Sequence, residues 1–422
     1  MWSDRTPPER LRDLVAALRS AVPHDADCLS TTPAFVLLGT QEFRRPLAIV
    51  SYCRGEGTVT GARGSVTLET KGFDLLEAML AAWRGFPGAT LAGFLSYDLA
   101  AELEDLGPKP PQTFQFPQLW FGLFGPGAEQ STAADTASAH PSGAIISRPD
   151  RAVFEASVTR IVSSIYGGDI FQTNLCRSIE TRLDPGASWE LFQRMRSINP
   201  ARYEAFIQLD AERSVFSISP ERFLKTEGGF VESSPIKGTR PRGKTAEEDS
   251  ALAEDLLASE KDRAELAMIV DVVRNDLSRV CKAGSVEVTA HAELMTLPTV
   301  HHSFSTVRGA LRDDTGSADL LRAAFPAASI SGAPKIEAMR IAAREENQPR
   351  GPCMGAIGWI GMDGHMELSV AIRTAFVADG VVRYYAGCGI TAGSDPAAEF
   401  EESRHKAAAF VRALGREDDP GW

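Results

Sequence analysis

Residues 355–390 read GAIGWIGMDGHMELSVAIRTAFVADGVVRYYAGCGI. Runs of β-branched and aromatic residues are punctuated by two Asp-Gly pairs, at 363–364 and 379–380. That pattern predicts an antiparallel meander with Asp-Gly turns. The stretch 395–414 follows, DPAAEFEESRHKAAAFVRAL. It reads as a closing helix with Asp395 as N-cap and Pro396 at its first position.

Working towards the N-terminus, the same texture recurs. Residues 149–169 read as a helix with a Pro-Asp start and a Gly-Gly stop. IFQTNLCRSIETRL (170–183), YEAFIQL (203–209), SVFSISP (214–220) and FLKTEGGFVESSPI (223–236) read as strands closed by turns. One long helix is predicted over roughly 247–280. Residues 1–123 read as an N-terminal mixed α/β segment, with strands at AFVLLGT, LAIVSYC and SVTLET and a helix at FDLLEAMLAAWRGF. Gly, Ala, Ser, Thr and Pro dominate 125–144, so 124–149 is expected to be a linker or mobile loop. The boundary set there leaves 150–415 as a catalytic domain. Strand runs joined by turns, with helices between, predict an α+β fold on antiparallel sheets.

The 422 residues carry a net charge of -12, with 43% hydrophobic and 24% charged residues. This is a globular composition, and its charge repels phosphate backbones, which argues against nucleic acid. No stretch reaches the length of a membrane span. The first 22 residues suit a short amphipathic helix rather than a signal peptide. The six cysteines form no C-x-x-C pair, so a reducing, cytoplasmic setting is expected.

Several constellations can carry chemistry. Asp262 and Glu265 stand at i, i+3, as do Glu399 and Glu402, so each pair shares one helix face. Oxygen ligands from two helices suit Mg²⁺, against the bland reading that most helix acids are solvated. Glycine-flanked backbone at Gly387–Gly389 and at 331–335 could hold a carboxylate, with Arg373 and Lys406 adding charge. His301 and His302 read either as a buried structural pair or as an acid or base. Gly351-Pro352-Cys353-Met354-Gly355 imitates a nucleophile elbow, but a polar stretch precedes it and a strand follows, the reverse of what an elbow requires. Lys237 lies before a Gly-Thr turn in SSPIKGTRPRG (233–243) and is either a solvated loop lysine or a nucleophile.

A set of segments in the C-terminal two-thirds is similar to the chorismate-utilising enzymes. They are GGDIFQTNL (167–175), SPERF (219–223), PIKGTRPRG (235–243), DRAELAMIVDVVRNDLSRV (262–280), VHHSFSTV (300–307), ASISGAPKIEAMR (328–340), AIRT (371–374), AGCGI (386–390) and EFEESRHKA (399–407). The N-terminal third resembles the family only through GFLSYDLAAELE. The resemblance implies two packed antiparallel β-sheets flanked by helices, with the active site in the cleft between them.

It also implies roles. Glu265 and Glu402 match Mg²⁺ ligands, with Asp262 and Glu399 reaching the ion through water. Arg373, Lys406 and the backbone of Gly387 and Gly389 match positions holding an enolpyruvyl carboxylate. Gly238 and Thr239 match those holding the ring carboxylate. Ser329, His302 and Trp359 match positions lining the substrate, the family often having tyrosine where Trp359 stands. Within the family, Lys237 resembles the aminodeoxychorismate branch (component I), since anthranilate synthases carry alanine there. The resemblance then implies that Lys237 attacks chorismate at C2, that Glu221 protonates the departing C4 hydroxyl, and that ammonia displaces the lysine at C4. A separate glutamine amidotransferase subunit is the implied ammonia source. The alternatives within the family are anthranilate synthase component I and an isochorismate or salicylate synthase.

Overall fold

The computed structural model describes residues 8–23, 28, 29, 34–86, 88–108, 110, 111, 113–126 and 141–422. Among these residues the strands form two sheets, of nine and twelve strands, with antiparallel pairing throughout. Helices flank both sheets, so the architecture is the expected α+β one. No helix among the described residues is long and apolar enough to cross a membrane.

Residues 355–390 form four strands, Ala356–Gly361, Met366–Val370, Thr374–Ala378 and Val381–Ile390. They are not one meander. The first two pair with each other in the twelve-stranded sheet, and the last two in the nine-stranded sheet. The chain changes sheet at Ala371–Ile372–Arg373, where Arg373 takes a left-handed φ of 51°. Asp379 and Gly380 both have positive φ, as a two-residue type I′ hairpin requires. A sequence shows period and turn chemistry, but not which sheet a strand joins.

A second crossing lies at Pro220-Glu221. Strand Ser214–Ser219 belongs to the nine-stranded sheet and Arg222–Glu227 to the twelve-stranded one. The two crossings are bonded to each other. Ile218 N donates to Arg373 O at 3.1 Å, Val370 N to Glu221 O at 3.0 Å, and Ser219 Oγ to Val370 O at 2.6 Å. One tied corner between the sheets therefore carries both Glu221 and Arg373.

The main apolar core draws on both sheets, with Leu91, Phe94 and Phe121 from one and Val36, Ile207 and Val215 from the other. A second core forms where the helices Ser188–Ile198 and Pro396–Ala413 cover the nine-stranded sheet. There the Tyr384 and Phe410 rings stack at 4.6 Å.

Three further sequence expectations need correction. The long helix is two, Ala246–Ala258 and Glu260–Ser278. Ser259 ends the first with an extended ψ of 107° and caps the second, its side chain accepting from Asp262 N. Helical periodicity runs through the break, because a capping serine is compatible with either reading. Residues 1–123 are not a neighbouring unit. Phe35–Leu38 pairs with Tyr203–Gln208, and Thr90–Leu95 pairs with Ala356–Gly361, so these strands extend the same two sheets. The proposed linker at 124–149 includes a strand, Pro141–Arg148, paired with Gln172–Leu183. Its order comes from that distant partner, which local composition does not reveal. Residues 127–140 of the linker lie outside the described residues.

Candidate active site

Lys237 sits on strand Ile236–Pro241, which pairs with Val300–Ala310. Ile236 faces Phe304 and Lys237 faces Ser303, but His302 is faced by Thr239. Gly238 is the extra residue of a bulge. Its φ is 78°, and a Cβ there would stand 2.8 Å from Leu256 Cδ1 and 3.0 Å from the Asp262 carboxyl carbon. Only glycine fits both the angle and the space. Past this kink the Lys237 side chain reaches across to the other sheet. Its Nζ donates to Ser329 O at 3.2 Å and lies 3.4 Å from where a Gly389 Cβ would be. Burial pushes the Lys237 pKa down, and the Lys406 charge adds to that; Glu265, Glu221 and Glu402 oppose it without reversing it.

Glu221 is 4% exposed and its pKa is pushed up to about 7. Burial is the cause, resisted by Ser329, Lys237, the Ile236 amide and Arg373. A carboxylic acid thus keeps its proton up to neutral pH beside an amine biased towards losing one.

Arg373 Nη2 lies 3.3 Å from His302 Nε2. His302 Nδ1 lies 2.9 Å from Thr239 Oγ1 and 3.3 Å from Gly238 O. A carbonyl only accepts, so Nδ1 carries the proton and Nε2 accepts from Arg373. Burial, with Arg373 beside it, pushes the His302 pKa down to about 4, so the ring is neutral.

Asp262 and Glu265 occupy the start of helix Glu260–Ser278, and Glu399 and Glu402 the start of Pro396–Ala413. Burial raises the Glu265 pKa; Lys237 and Lys261 pull it down, while Asp262 and Glu402 add to the rise. The two helices therefore bring their acids into mutual repulsion. Glu399 is 5% exposed and burial raises its pKa; Oε1 accepts from Ser394 Oγ at 2.6 Å, whereas Oε2 is buried without a partner. For Glu402 burial acts upward, but the Lys406 ammonium, 2.7 Å from Oε1, wins and lowers it. Lys406 Nζ also donates to Gly387 O at 3.0 Å, and Asp262 Oδ2 lies 3.2 Å from Arg240 Nη2. Acids on two helices and an orphaned buried oxygen are the oxygen donors that suit a hard divalent cation such as Mg²⁺, while among the described residues the donor atoms within 4.8 Å of one another are those of Cys388, Glu399 and Glu402.

The sequence reading missed Gln172, which opens strand Gln172–Leu183 and is 1% exposed. Its Oε1 is buried without a partner, and its Nε2 is 2.5 Å from a Gly389 Cβ position. Gln172 falls within GGDIFQTNL (167–175), one of the segments that carry the family resemblance, and that was the available signal. Arg373 Nη1 is likewise buried without a partner. Leaving such groups unpaired is costly, so they are candidates to bond a ligand.

Trp359 is placed elsewhere. It lies between Ala92 and Glu367 in its sheet, packed on the main apolar core, and does not belong to the network of bonds and charges around Lys237. A motif position fixes a strand register, not the side chain's neighbours. Cys353 is 1% exposed, its Sγ donates to Thr374 O at 3.2 Å, and burial pushes its pKa far up, so it has no nucleophile's setting.

The profile of a family described as chorismate binding enzyme matches residues 41–412. Anthranilate synthase component 1 of Streptomyces coelicolor is 42% identical over 284 residues, 67% of this chain and 55% of that protein. Aminodeoxychorismate synthase component 1 of Klebsiella aerogenes is 35% identical over 353 residues, 78% of each chain. The chain spans about half the length of several curated relatives it matches. Among solved structures, anthranilate synthase component I from Streptococcus pneumoniae superposes with a TM-score of 0.76 at 26% identity, covering 97% of this chain and 98% of the other.

Proposed function

The chain belongs to the chorismate-binding enzyme family, and from that premise we propose that it aminates chorismate at C4, as component I of an aminodeoxychorismate synthase. The observation that carries this reading is Lys237, an amine with a lowered pKa held opposite Gly389 and near Glu221. Neutral amine is scarce at an ordinary lysine pKa, roughly one molecule in 2,500 at pH 7. Burial raises that fraction, which is what a nucleophile needs.

The chemistry then balances with the residues present. The Lys237 nitrogen bonds C2 of chorismate and gives up a proton, both ring double bonds shift, and the C4 hydroxyl leaves as water with the Glu221 proton. Ammonia bonds C4 and gives up a proton, both double bonds shift back, and the C2–nitrogen bond breaks to return the lysine, which regains its proton. The enolpyruvyl group is kept. Arg373, Lys406 and the Gly387–Gly389 backbone hold its carboxylate, while Gly238 and Thr239 hold the ring carboxylate. Mg²⁺ on Glu265 and Glu402, with Asp262 and Glu399 behind, would neutralise the ring carboxylate and make the ring more electrophilic.

Relatives named component 1 support a second subunit, and we assign it as a glutamine amidotransferase delivering ammonia. The product, 4-amino-4-deoxychorismate, leads to p-aminobenzoate and folate, in the cytoplasm. The second reading is anthranilate synthase component I, favoured by relatives of equal or higher identity. Against it stands Lys237 in place of alanine. An isochorismate or salicylate synthase needs a base for water, and Gln172 beside Lys237 is an amide.

The test is a product assay with chorismate, Mg²⁺ and an ammonium salt at alkaline pH, read by mass and ultraviolet spectrum. Nitrogen in place of the C4 hydroxyl, with the enolpyruvyl group intact, is the expected product, and Lys237→Ala is expected to lose it. Anthranilate or isochorismate from the unaltered protein would overturn the role given to Lys237.

A further inference from the structure

Two adjacent histidines take opposite sides of strand Val300–Ala310, because side chains alternate along a strand. His301 is anchored to neighbouring elements, with Nε2 2.9 Å from Asp249 Oδ1 and Nδ1 3.0 Å from Thr296 Oγ1. His302, 3% exposed, stands between two parts of the candidate site. On one side are Gly238 and Thr239 of the bulged strand, and on the other is Arg373, at the corner where the chain changes sheet. Both ring nitrogens are occupied. Nδ1–H is directed at Thr239 Oγ1 and Gly238 O, and the Nε2 lone pair accepts from Arg373 Nη2. A ring so bonded is placed neither to take a substrate proton nor to give one. Arg373 is half committed: the imidazole holds Nη2, while Nη1 is buried without a partner. A guanidinium keeps its charge, so a buried N–H without an acceptor suits an anionic oxygen.

We propose that His302 is a positioning residue, a neutral acceptor that fixes one arm of Arg373 so that the other, Nη1, meets a carboxylate of the substrate. The same ring bonds Gly238 and Thr239, so the groups proposed to hold the two carboxylates of chorismate are set relative to one another. Burial beside Arg373 keeps the ring unprotonated at neutral pH, so the guanidinium faces a lone pair and not a second cation. The bond geometry stands alone. That the anion is a chorismate carboxylate rests on the functional reading above.

The test is calorimetric binding of chorismate to the full chain, with Mg²⁺ and without ammonia, followed by steady-state turnover, for His302→Gln and His302→Asn. A glutamine carbonyl oxygen reaches the place of Nε2 and keeps an acceptor for Arg373, whereas an asparagine amide reaches only the place of Nδ1 and loses it. His302→Gln should bind chorismate within about threefold of the unaltered protein and His302→Asn roughly tenfold more weakly, the scale of one hydrogen bond to a charged group. In an Arg373→Ala background the His302→Asn change should add little, because both remove the same interaction. Equal weakening by the two variants, no weakening by either, or additivity with Arg373→Ala overturns the proposal. So does a His302→Gln kcat lowered by roughly 10²–10⁴-fold, the mark of a lost acid or base. Thermal melts establish that each variant is folded; should His302→Asn fail that check, the Kd and kcat of His302→Gln decide. Product identity does not enter a binding measurement, so anthranilate or isochorismate as the product overturns the amination reading and leaves this one standing.

Discussion

Glu221 and Lys237 are driven in opposite directions by the same cause. Removal from water disfavours charge, so it lifts the acid to about 7 and lowers the amine. In the proposed reaction the protonated acid is the working form, so kcat/KM for chorismate should fall as pH rises through about 7 at a fixed concentration of neutral ammonia. Glu221→Gln has no proton to give. Its rate should drop by roughly 10²–10⁴-fold, and the remaining rate should lose that alkaline limb. The same shift bears on stability. The folded-state pKa lies above the unfolded one, so the contribution is full below about 4.5 and disappears as pH rises through about 7. Thermal melts of Glu221→Gln should therefore depend less on pH across that window; an unchanged dependence would place the titration on another group. Two glycines separate site from scaffold. A Gly389 Cβ would meet Gln172 Nε2 at 2.5 Å and Lys237 Nζ at 3.4 Å, both side-chain ends. A Gly387 Cβ would meet Leu175 O at 2.5 Å, which is backbone. Gly389→Ala should impair chorismate binding with little change in melting temperature. Gly387→Ala should cost about 1–3 kcal/mol of stability. Melts and KM values measured side by side distinguish these outcomes.

Elements bring these residues together through features that local pattern conveys unevenly. Turn and cap chemistry was legible: the Asp395-Pro396 start, the Asp-Gly hairpins and the closing helix are all where the sequence put them. The i, i+3 acid pairs were legible as helix faces, though only the fold brings the two helices together. What local pattern hid was non-local. Arg373 and Glu221 owe their positions to crossings between sheets, and nothing in a strand's own residues says which sheet it will join. Gln172 was hidden because one buried amide carries no period. Ser259 illustrates an element device with a readable consequence. By ending one helix and capping the next, it fixes the direction in which Asp262 and Glu265 leave the backbone. Ser259→Ala should cost about 1 kcal/mol through the lost cap. It should also weaken Mg²⁺ binding, measured by calorimetry, because both carboxylates lie within the first turns that the cap holds. Lost stability with unchanged Mg²⁺ affinity would mean the packing of that helix, not its cap, aims the acids.

Across the whole molecule, the N-terminal strands and the proposed catalytic residues share one pair of sheets. Strand Thr90–Leu95 lies beside Ala356–Gly361, which in turn pairs with the strand leading into Arg373. Asp98 accepts from the amides of Arg350 and Gly351, just ahead of that strand. Arg322, 8% exposed at its side chain, bridges to Asp74 at 3.0 Å and Glu77 at 2.7 Å. Cutting the chain at 150 would strip the paired edge from Ala356–Gly361 and from Tyr203–Gln208, and open the main core to water. Exposed apolar edges of this kind recruit other chains. A fragment of residues 150–422 should therefore lack a cooperative thermal transition and aggregate, although it holds every proposed ligand and catalytic residue. A sharp melt with Mg²⁺-dependent chorismate turnover from that fragment would show the opposite, that the shared sheets are a convenience of packing. The prediction follows from the placement of Glu221 and Arg373. Both stand at corners where one sheet passes into the other, so the site keeps its shape only while both sheets keep their edges.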